Sequence, residues 1–386
     1  MRLVACIALA LLYSQEVQPM EDMHEESDDI FDLLNDAERN IPEIFVRRKR
    51  SNDPKCPEIE RMNNGYDVND GIYPFVVALI RWENPPKVSD QFCVGILVTF
   101  GFVLTACHCL VYSDSDGVIR YPHNHIAPRS IDVLAGATDL KEYLRSRRLH
   151  NIDSLRCGQV REGQKIRVHP GCSLKNNTFK YDIGILKIKY TFRVELYSNC
   201  QVRPKFPLTK LTTSDVLNMA ENHEVCVTVG WGWDINAYTS PYLSMAWVTL
   251  RPGDWCKNAI TNATIDQEGG PDVFVPNLQL CVLGCETGQT VCGGDSGGPL
   301  ICGPNKDVIG VVSYGPGNAS CGNDQIPFVY SRVEDDNQDW VTDIIVNLTS
   351  TRGPRRIRVQ DSTCIPKSHM YAVLTVTVVI IVIKEL

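Results

Sequence analysis

Between residues 62 and 347 the chain alternates short apolar runs, rich in β-branched residues, with turns rich in Gly, Pro, Asn and Asp. Short apolar runs bounded by such turns are typical of β-strands. The runs that predict strands are Phe75–Ile80, Gly95–Thr105, Ile131–Leu134, Ile166–His169, Ile183–Ile188, Val225–Gly230, Met245–Leu250, Leu278–Val282, Pro299–Cys302, Val308–Tyr314 and Phe328–Val333. Many short strands separated by turns favour an all-β barrel or sandwich.

The end of this region follows a helical repeat instead. Its apolar residues fall on one face of a 3.6-residue period. They are Trp340, Val341, Ile344, Ile345 and Leu348. The pattern therefore predicts an all-β domain that closes with one helix.

The N-terminal segment has two parts with different patterns. Arg2 precedes an apolar run, Leu3–Leu12, that is too short to span a membrane, which predicts a signal peptide over residues 1–15. Residues 16–38 hold ten acidic residues and no Lys or Arg, and the basic cluster Arg47–Arg50 follows. We interpret residues 16–61 as an acidic pro-segment and linker, with processing after Arg50 or after Arg61. A solvated charge run is the alternative.

The C-terminal segment, residues 350–386, carries four arginines and then a run of thirteen apolar or Thr residues, Tyr371–Ile383. This run is shorter than a membrane span. Three interpretations stay open: a GPI-attachment signal with its site near Ser362, a hydrophobic or interfacial tail, and an additional strand. Membrane attachment through this tail is thus one alternative.

Composition narrows the class of protein. With 386 residues, 44% of them hydrophobic, the chain is too apolar to be disordered, and its net charge of −8 argues against a nucleic-acid partner. Sixteen cysteines are typical of an exported, disulfide-bonded protein. No pair of CxxC motifs is present, and Cys107 and Cys109 flank His108 too closely for the usual zinc spacing. We expect neither a metal nor another cofactor.

A serine within a run of glycines carries the strongest chemical signal. Ser296 lies in the segment Gly293–Leu300, which reads GGDSGGPL. Glycines on both sides allow a tight turn that directs the backbone N–H groups of Gly294 and Ser296 at one point, as an oxyanion hole requires. A serine hydroxyl is a weak nucleophile, however, and needs a neighbouring base.

Two further segments supply a base and an acid. His108 ends the apolar run that begins at Phe102, and Asp182 directly precedes the run Ile183–Ile188. The chain order His, Asp, Ser is that of one known convergent triad. In such a triad His108 accepts the proton of Ser296, and Asp182 fixes the imidazole tautomer.

These motifs resemble the chymotrypsin/trypsin (S1) family of serine proteases. Supporting segments are Phe92-Cys93, Gly230-Trp231-Gly232, Ser313-Tyr314-Gly315, Pro327–Tyr330 and the helix around Trp340. The resemblance covers a protease domain over residues 62–349. It implies two six-stranded antiparallel barrels followed by a C-terminal helix, with the triad in the cleft between the barrels.

The resemblance also implies disulfide pairs. They are Cys93–Cys109, Cys226–Cys302, Cys256–Cys281, Cys292–Cys321 and a pro-segment tether, Cys56–Cys200. Cys157 and Cys172 are expected to close a local loop. Cys107 stands beside His108 where the family has alanine, and we interpret it as a small buried apolar residue. Cys285 and Cys364 stay unassigned.

Activation in this family releases a new α-amino group, which pairs with the acid before the nucleophile. The resemblance places the cut between Arg61 and Met62 and the acid at Asp295. The new N-terminus, Met62-Asn63-Asn64-Gly65, departs from the Ile-Val-Gly-Gly of the family. Activation is the step that this departure affects.

Substrate selection departs from the tryptic pattern as well. The resemblance puts Thr290 at the base of the primary pocket, where an aspartate selects Arg or Lys. Phe328 replaces a glycine of the pocket wall, and Ser313, Tyr314 and Gly315 border the substrate. We expect a pocket with room for a small uncharged side chain or none. Ordinary core packing of Phe328 is the alternative.

Two functional hypotheses follow. The first is a secreted, zymogen-type serine endopeptidase of restricted, non-tryptic specificity. Its partners are protein or peptide substrates, an activating protease and serine protease inhibitors. The second is a catalytically silent homologue that acts as a binding or regulatory protein. Turnover of peptides that depends on Ser296 distinguishes them.

Overall fold

The computed structural model describes residues 56, 66–81, 85–113, 119–120, 128–148, 158–175, 178–194, 200–233, 238–265, 273–286, 288–315 and 326–350. All of them belong to the unit Phe45–Ser350. The predicted signal peptide, the pro-segment except Cys56, the bond Arg61–Met62 and the C-terminal tail beyond Ser350 lie outside the described residues.

The described residues contain seventeen strands. In chain order they are β1 (Tyr66–Asp67), β2 (Val76–Arg81), β3 (Gln91–Thr99), β4 (Phe102–Thr105), β5 (Tyr112–Ser113), β6 (Ile119–Arg120), β7 (Ile131–Ala135), β8 (Gln159–Val168), β9 (Ser173–Lys175), β10 (Thr178–Lys180), β11 (Gly184–Ile188), β12 (Val225–Gly230), β13 (Ser244–Arg251), β14 (Gln279–Gly284), β15 (Pro299–Cys302), β16 (Asp307–Tyr314) and β17 (Phe328–Arg332). Each of the predicted apolar runs overlaps one or more of these strands.

Twelve strands form two closed antiparallel barrels of six. The first barrel has the order β11-β4-β3-β2-β7-β8. The second has the order β13-β12-β15-β16-β17-β14 and closes through the β13–β14 pair, with β1 added beside β13. The strands β5–β6 and β9–β10 form two separate hairpins. The predicted two-barrel fold is therefore confirmed.

One apolar cluster extends across both barrels, and two smaller clusters lie in the second-barrel half. Val77 and Val94 of the first barrel and Val229 of the second belong to the same buried cluster. Strands β2 and β3 are buried along most of their length because one face fills the barrel and the other packs outward against neighbouring elements. This packing brings the carboxyl end of β4 close to the loop that precedes β15.

Four α-helices lie among the described residues: α1 (Leu140–Arg148), α2 (Thr213–Glu221), α3 (Gly253–Thr264) and α4 (Asp336–Ser350). The last is the predicted C-terminal helix. The prediction of a single helix is wrong, because α1, α2 and α3 were missed. The residues of α1 are mostly charged, and tertiary contacts stabilise it instead. Tyr143 and Arg147 of α1 both donate to the buried Asp132, at 2.8 and 2.9 Å. None of the helices in the described part of the chain is long and apolar enough to cross a membrane.

The structure forms three of the disulfides that the family resemblance implies: Cys93–Cys109, Cys226–Cys302 and Cys256–Cys281. Cys292 is also disulfide-bonded, but its predicted partner Cys321 lies outside the described residues.

The predicted tether is wrong. Cys56 bonds Cys285, with a Cα–Cα separation of 5.6 Å, and not Cys200. Cys200 is disulfide-bonded to another partner, which lies outside the described residues. Cys285 follows β14, and its backbone N–H donates to Trp247 O at 2.9 Å, so Cys56 of the predicted pro-segment is attached to the second barrel. Only the fold could decide this, because a disulfide requires Cα atoms within about 7 Å.

The interpretation of Cys107 as an unpaired apolar residue is also wrong. Cys107 bonds Cys172, with a Cα–Cα separation of 6.6 Å. Cys172 is therefore not available to the expected Cys157–Cys172 loop. The hydrogen-bonded segment after β8 returns beside the turn that carries His108, and this proximity is invisible in the spacing of the cysteines.

Candidate active site

His108 lies in a short 3₁₀ helix, Cys107–Cys109, that directly follows β4. Its Nδ1 is 2.8 Å from Asp182 Oδ2, and its backbone N–H donates to Asp182 Oδ1 at 2.9 Å. The imidazole is 24% exposed, whereas the Asp182 side chain is fully buried. The structure therefore brings the predicted base and acid together, with one edge of the ring open to the cleft.

Asp182 accepts a third hydrogen bond from the second barrel. Ser313 Oγ, near the end of β16, donates to Asp182 Oδ2 at 2.6 Å. A buried carboxylate is costly unless it is hydrogen-bonded or paired, and here three donors surround it. Ser313, predicted only to border the substrate, thus contacts the acid directly.

The neighbouring carboxylate controls the protonation of His108. Burial by itself lowers the pKa of the imidazole, but the charge of Asp182 and its hydrogen bond outweigh burial, and the pKa is raised above its usual 6.5. The pair therefore stabilises the imidazolium that forms when His108 accepts a proton.

Ser296 lies in the tight loop between Cys292 and β15. Gly294 and Gly297 have φ angles of +97° and +84°, in the region that side chains disfavour. A Cβ at Gly297 would lie 2.0 Å from Thr105 Oγ1, so only glycine lets the loop approach β4. The backbone N–H of Val94 in β3 donates to Ser296 O at 2.8 Å. These contacts fix Ser296 beside the turn of His108.

Gln91 of β3 is a contact that sequence reasoning missed. This buried side chain donates from Nε2 to Gly294 O at 2.8 Å and to Cys93 O at 3.0 Å. It thereby couples the predicted oxyanion loop to the first barrel. A lone glutamine at the start of an apolar strand carries no sequence signal for this role.

Asp295 borders a cavity of about 220 Å³ in the second barrel. Its oxygens accept from the backbone N–H groups of Gly232, at 2.7 Å, and Cys292, at 2.9 Å. Burial raises the pKa of Asp295 to about 6, against the lowering effect of these two hydrogen bonds. No cationic side chain of the described residues pairs with it, and Asp67 and Thr290 line the same cavity.

Phe328 is buried beside the segment that was predicted to border the substrate. Its side chain is 7% exposed, and a Cβ on Gly315 would lie 2.7 Å from Phe328 Cε1. The ring therefore contacts the very segment, Ser313–Gly315, that the family resemblance places along the substrate. It also joins an apolar cluster that includes Val291 and Tyr330. Core packing of Phe328 is thus observed, and its role as a wall of the primary pocket stays a prediction.

Two other cleft residues were missed. The ring of Phe179 in β10 lies 5.2 Å from that of His108, centroid to centroid. Gln279 of β14 donates to Phe179 O at 2.8 Å and lies 3.5 Å from the Tyr314 hydroxyl. Phe179 stands three residues before Asp182, which was the only available clue to its position.

Two groups of side chains near the pair have metal-ligand types, but their sulfur atoms are oxidised. They are Cys93, His108 and Cys109, and Cys107, Cys172 and Asp182. All four cysteines are in disulfides and offer no thiolate. Their chemistry does not fit a zinc site.

Comparisons with known proteins agree with this fold. The trypsin family model matches residues 62–341. Coagulation factor XII of Sus scrofa is 28% identical over 288 residues, 72% of this chain and 39% of that protein. Trypsin of Saccharopolyspora erythraea is 27% identical over 270 residues, 70% of this chain and 92% of that protein. Serine protease grass of Drosophila melanogaster is 26% identical over 300 residues, 75% of this chain and 68% of that protein.

The chain spans about two fifths of the length of the factor XII relatives that it matches. The family model, in contrast, covers well over half of the chain. With the two barrels and the His108–Asp182 contact in place, the chain belongs to the trypsin family of S1 serine proteases.

Proposed function

We propose that the protein is a serine endopeptidase that cleaves peptide bonds with Ser296, His108 and Asp182. The observation that carries the proposal is the buried Asp182. It accepts hydrogen bonds from the backbone N–H of His108, from the ring Nδ1 of His108 and from Ser313 Oγ. A buried acid that is hydrogen-bonded to a partly exposed imidazole, beside a serine flanked by glycines, is the arrangement that acyl transfer requires.

In the proposed mechanism His108 accepts the Ser296 proton while Ser296 Oγ attacks the scissile carbonyl carbon. The tetrahedral oxyanion accepts hydrogen bonds from the backbone N–H groups of Gly294 and Ser296. His108 then donates the proton to the leaving amine, and an acyl-enzyme remains. Water, deprotonated by His108, attacks the acyl carbon, and the carboxylic acid product leaves as Ser296 regains its proton.

Zymogen activation is part of the proposal. Asp295 presents its carboxylate to a cavity that β1 also borders through Asp67, and no cationic side chain in the described part of the chain pairs with it. Met62 precedes the first residue of β1 by four positions, and four residues span at most about 14 Å. Cleavage after Arg61 would therefore release an α-amino group within reach of the cavity. Pairing of that group with Asp295 would hold the Gly294–Ser296 turn in its active form.

Specificity follows from the filled pocket. Phe328 occupies space beside Gly315, and Thr290 carries no charge that could select Arg or Lys. We therefore propose a substrate with a small uncharged side chain before the scissile bond. An activator with trypsin-like specificity must then supply the cut after Arg61, because the enzyme itself would not accept an arginine.

The proposed substrates are proteins, and the proposed location is extracellular. One relative, 29% identical over 283 residues, is named phenoloxidase-activating enzyme 1 of Spodoptera litura, so that protein acts on another enzyme. Five disulfides among the described residues suit an oxidising compartment, as does the predicted signal peptide. An activating protease and serine protease inhibitors are the proposed partners. Anchoring through the tail remains a prediction about residues outside the described part.

The silent-homologue hypothesis has one observation in its favour, namely the packing of Phe328 against Gly315 in the pocket. Secreted protein cleaved after Arg61 should react with a fluorophosphonate probe at Ser296 and should hydrolyse members of a peptide library. The Ser296→Ala variant is the matched control and should do neither. Absence of labelling in protein whose N-terminus is verified as Met62 would overturn the endopeptidase proposal and favour the silent homologue.

A further inference from the structure

The disulfide Cys107–Cys172 lies at the contact between the proposed base and acid. Cys107 directly precedes His108 in the same 3₁₀ turn and is fully buried. Cys172 lies between β8 and β9, in the loop that follows His169. The bridge therefore joins the backbone turn of His108 to a segment of the chain 65 residues away.

That segment grips the residues on both sides of Asp182. The backbone N–H of Cys172 donates to His169 O at 2.9 Å, and the N–H of His169 donates to Ile183 O at 3.0 Å. The His169 ring stacks on Tyr181, with ring centroids 4.5 Å apart and planes 13° apart. Tyr181 and Ile183 flank the acid, so a displacement of the Cys172 loop is transmitted to Asp182 from both sides.

The approach of this loop is close. A Cβ at Gly171 would lie 2.6 Å from the Tyr181 ring, so glycine is needed next to Cys172. Tyr181 itself has a φ of +47°, a backbone conformation that its neighbours must maintain. The His169 ring also meets Trp340 of α4 edge-on, at 5.3 Å, which supports the stack from the other side.

The bridge also covers the carboxylate. The sulfur atoms of Cys107 and Cys172 and a carboxylate oxygen of Asp182 all lie within 4.8 Å of one another. Two disulfide sulfurs beside a fully buried acid exclude water from that side. A dry surrounding strengthens the attraction between Asp182 and the imidazolium of His108.

We infer that the Cys107–Cys172 disulfide is a positioning crosslink for the His108–Asp182 pair. It fixes the distance between the turn that carries the base and the loop that holds the acid, and it keeps the acid dry. This inference rests on the proposed triad. It assigns a catalytic consequence to a bridge that would otherwise only stabilise the fold.

The test compares two disulfide removals in Arg61-cleaved protein. The double variant Cys107→Ala, Cys172→Ala removes the crosslink, and Cys256→Ala, Cys281→Ala removes a buried bridge between α3 and β14. Both are assayed well below their melting temperatures on one peptide substrate. We expect the first variant to lose about tenfold or more in kcat with little change in KM, because misplaced catalytic groups cost rate rather than binding.

A pH profile separates positioning from stability. In the first variant the apparent pKa of kcat/KM should fall towards that of a free histidine, since the coupling to Asp182 weakens. The control variant should melt earlier but keep both kcat and the apparent pKa. Equal kcat and an unchanged profile in the crosslink variant would overturn the inference.

A second variant guards against misfolding. Cys107→Ala, Cys172→Val fills the space of the bridge with apolar groups and supports the fold without the covalent link. If this variant retains wild-type kcat and pH profile, packing alone suffices and the inference is wrong; if it shows the same losses, the covalent link is required. His108→Ala and Ser296→Ala are run beside it, because turnover in either would refute the proposed triad itself, a result distinct from failure of the crosslink.

Discussion

The two sides of the cleft treat a buried aspartate in opposite ways. On the first-barrel side, Asp182 is fully buried and accepts three hydrogen bonds, two of them from His108, whose pKa it raises. On the second-barrel side, Asp295 accepts only two backbone N–H groups, faces a cavity and has its own pKa raised to about 6. Asp182 has a full set of hydrogen-bond donors, whereas Asp295 has no cationic side chain beside it among the residues that the structure describes.

The difference separates a carboxylate whose hydrogen bonds are complete within the fold from a carboxylate that has no cationic partner among the described residues. The residues around His108 need nothing beyond the fold to adopt their arrangement. The Ser296 loop contains Asp295, whose carboxylate accepts two backbone N–H groups and has no cationic side chain of the described residues beside it. Thr290 and Phe328, two of the departures from the family pattern, also lie on the second-barrel side.

The largest expected effect on activity comes from removing the carboxylate of Asp182. Asp182→Asn in cleaved protein should lower kcat by about 10⁴-fold, as is general for Ser-His-Asp triads, because the amide favours the wrong imidazole tautomer. In the wild type, activity should fall as the pH drops through an apparent pKa above 6.5, since only neutral His108 accepts a proton. The kcat of the variant measures the first effect, and a wild-type kcat/KM profile from pH 5 to 9 measures the second. Activity that is flat across this range would contradict the assigned base.

The second-largest effect on activity is expected at Asp295, on the second-barrel side. Asp295→Asn removes the charge that the new α-amino group is proposed to meet, so cleaved protein should lose about 10²–10³-fold in kcat, the scale of a lost oxyanion donor. Uncleaved protein should bind the fluorophosphonate probe slowly with or without the substitution. The rate of probe labelling measures this, and equal rates in cleaved wild type and cleaved variant would show that Asp295 has no such partner.

Phe328 tests whether the second-barrel side also limits the substrate. Phe328→Ala should open the pocket and raise kcat/KM for large apolar side chains before the scissile bond by about 10–200-fold relative to small ones. The same change should destabilise the fold by about 3–5 kcal/mol, because it leaves a cavity in a packed cluster. A peptide library read by mass spectrometry and a thermal melt measure the two effects. An unchanged preference would place Phe328 in the core alone.

A smaller effect is expected at Ser313, which links the two sides. Ser313→Ala removes the 2.6 Å hydrogen bond to Asp182 Oδ2 and should lower kcat by about tenfold or less, because two donors remain. A carboxylate with fewer donors attracts the imidazolium more strongly, so the apparent pKa of His108 should rise. Ser331→Ala, whose buried Oγ has no hydrogen-bond partner in the described structure, is the matched control and should change neither value.

The smallest effect is on the stability of the uncleaved form. The pKa of Asp295 is raised from 3.8 to about 6 in the folded state, so the folded state binds the proton more tightly than the unfolded state. The free energy of unfolding should therefore fall as the pH rises from about 4 to about 6. Urea melts of Arg61→Ala protein measure the slope, and Asp295→Asn should remove that part of it. An identical slope in both variants would contradict the raised pKa.

Much of the fold could be predicted because its signals are local. Apolar runs between turn residues located the barrel strands, and the repeat from Trp340 to Leu348 located α4. The helix α1 was missed because a charged sequence, LKEYLRSRR, becomes helical through contacts with Asp132 rather than through its own pattern. The glycine-rich loop around Ser296 could also be predicted from the sequence, because a tight turn needs glycines close together in the chain.

The sequence by itself determined which groups could do chemistry: a serine between glycines, a histidine at a strand end and an acid before another strand. Only the tertiary structure decided which partners those groups meet, because such contacts join segments far apart in the chain. It bonded Cys107 to Cys172 and Cys56 to Cys285, turned Ser313 towards Asp182 and left Asp295 facing a cavity. Spacing along a chain carries no record of such pairings, whereas burial, distance and direction in the fold fix them.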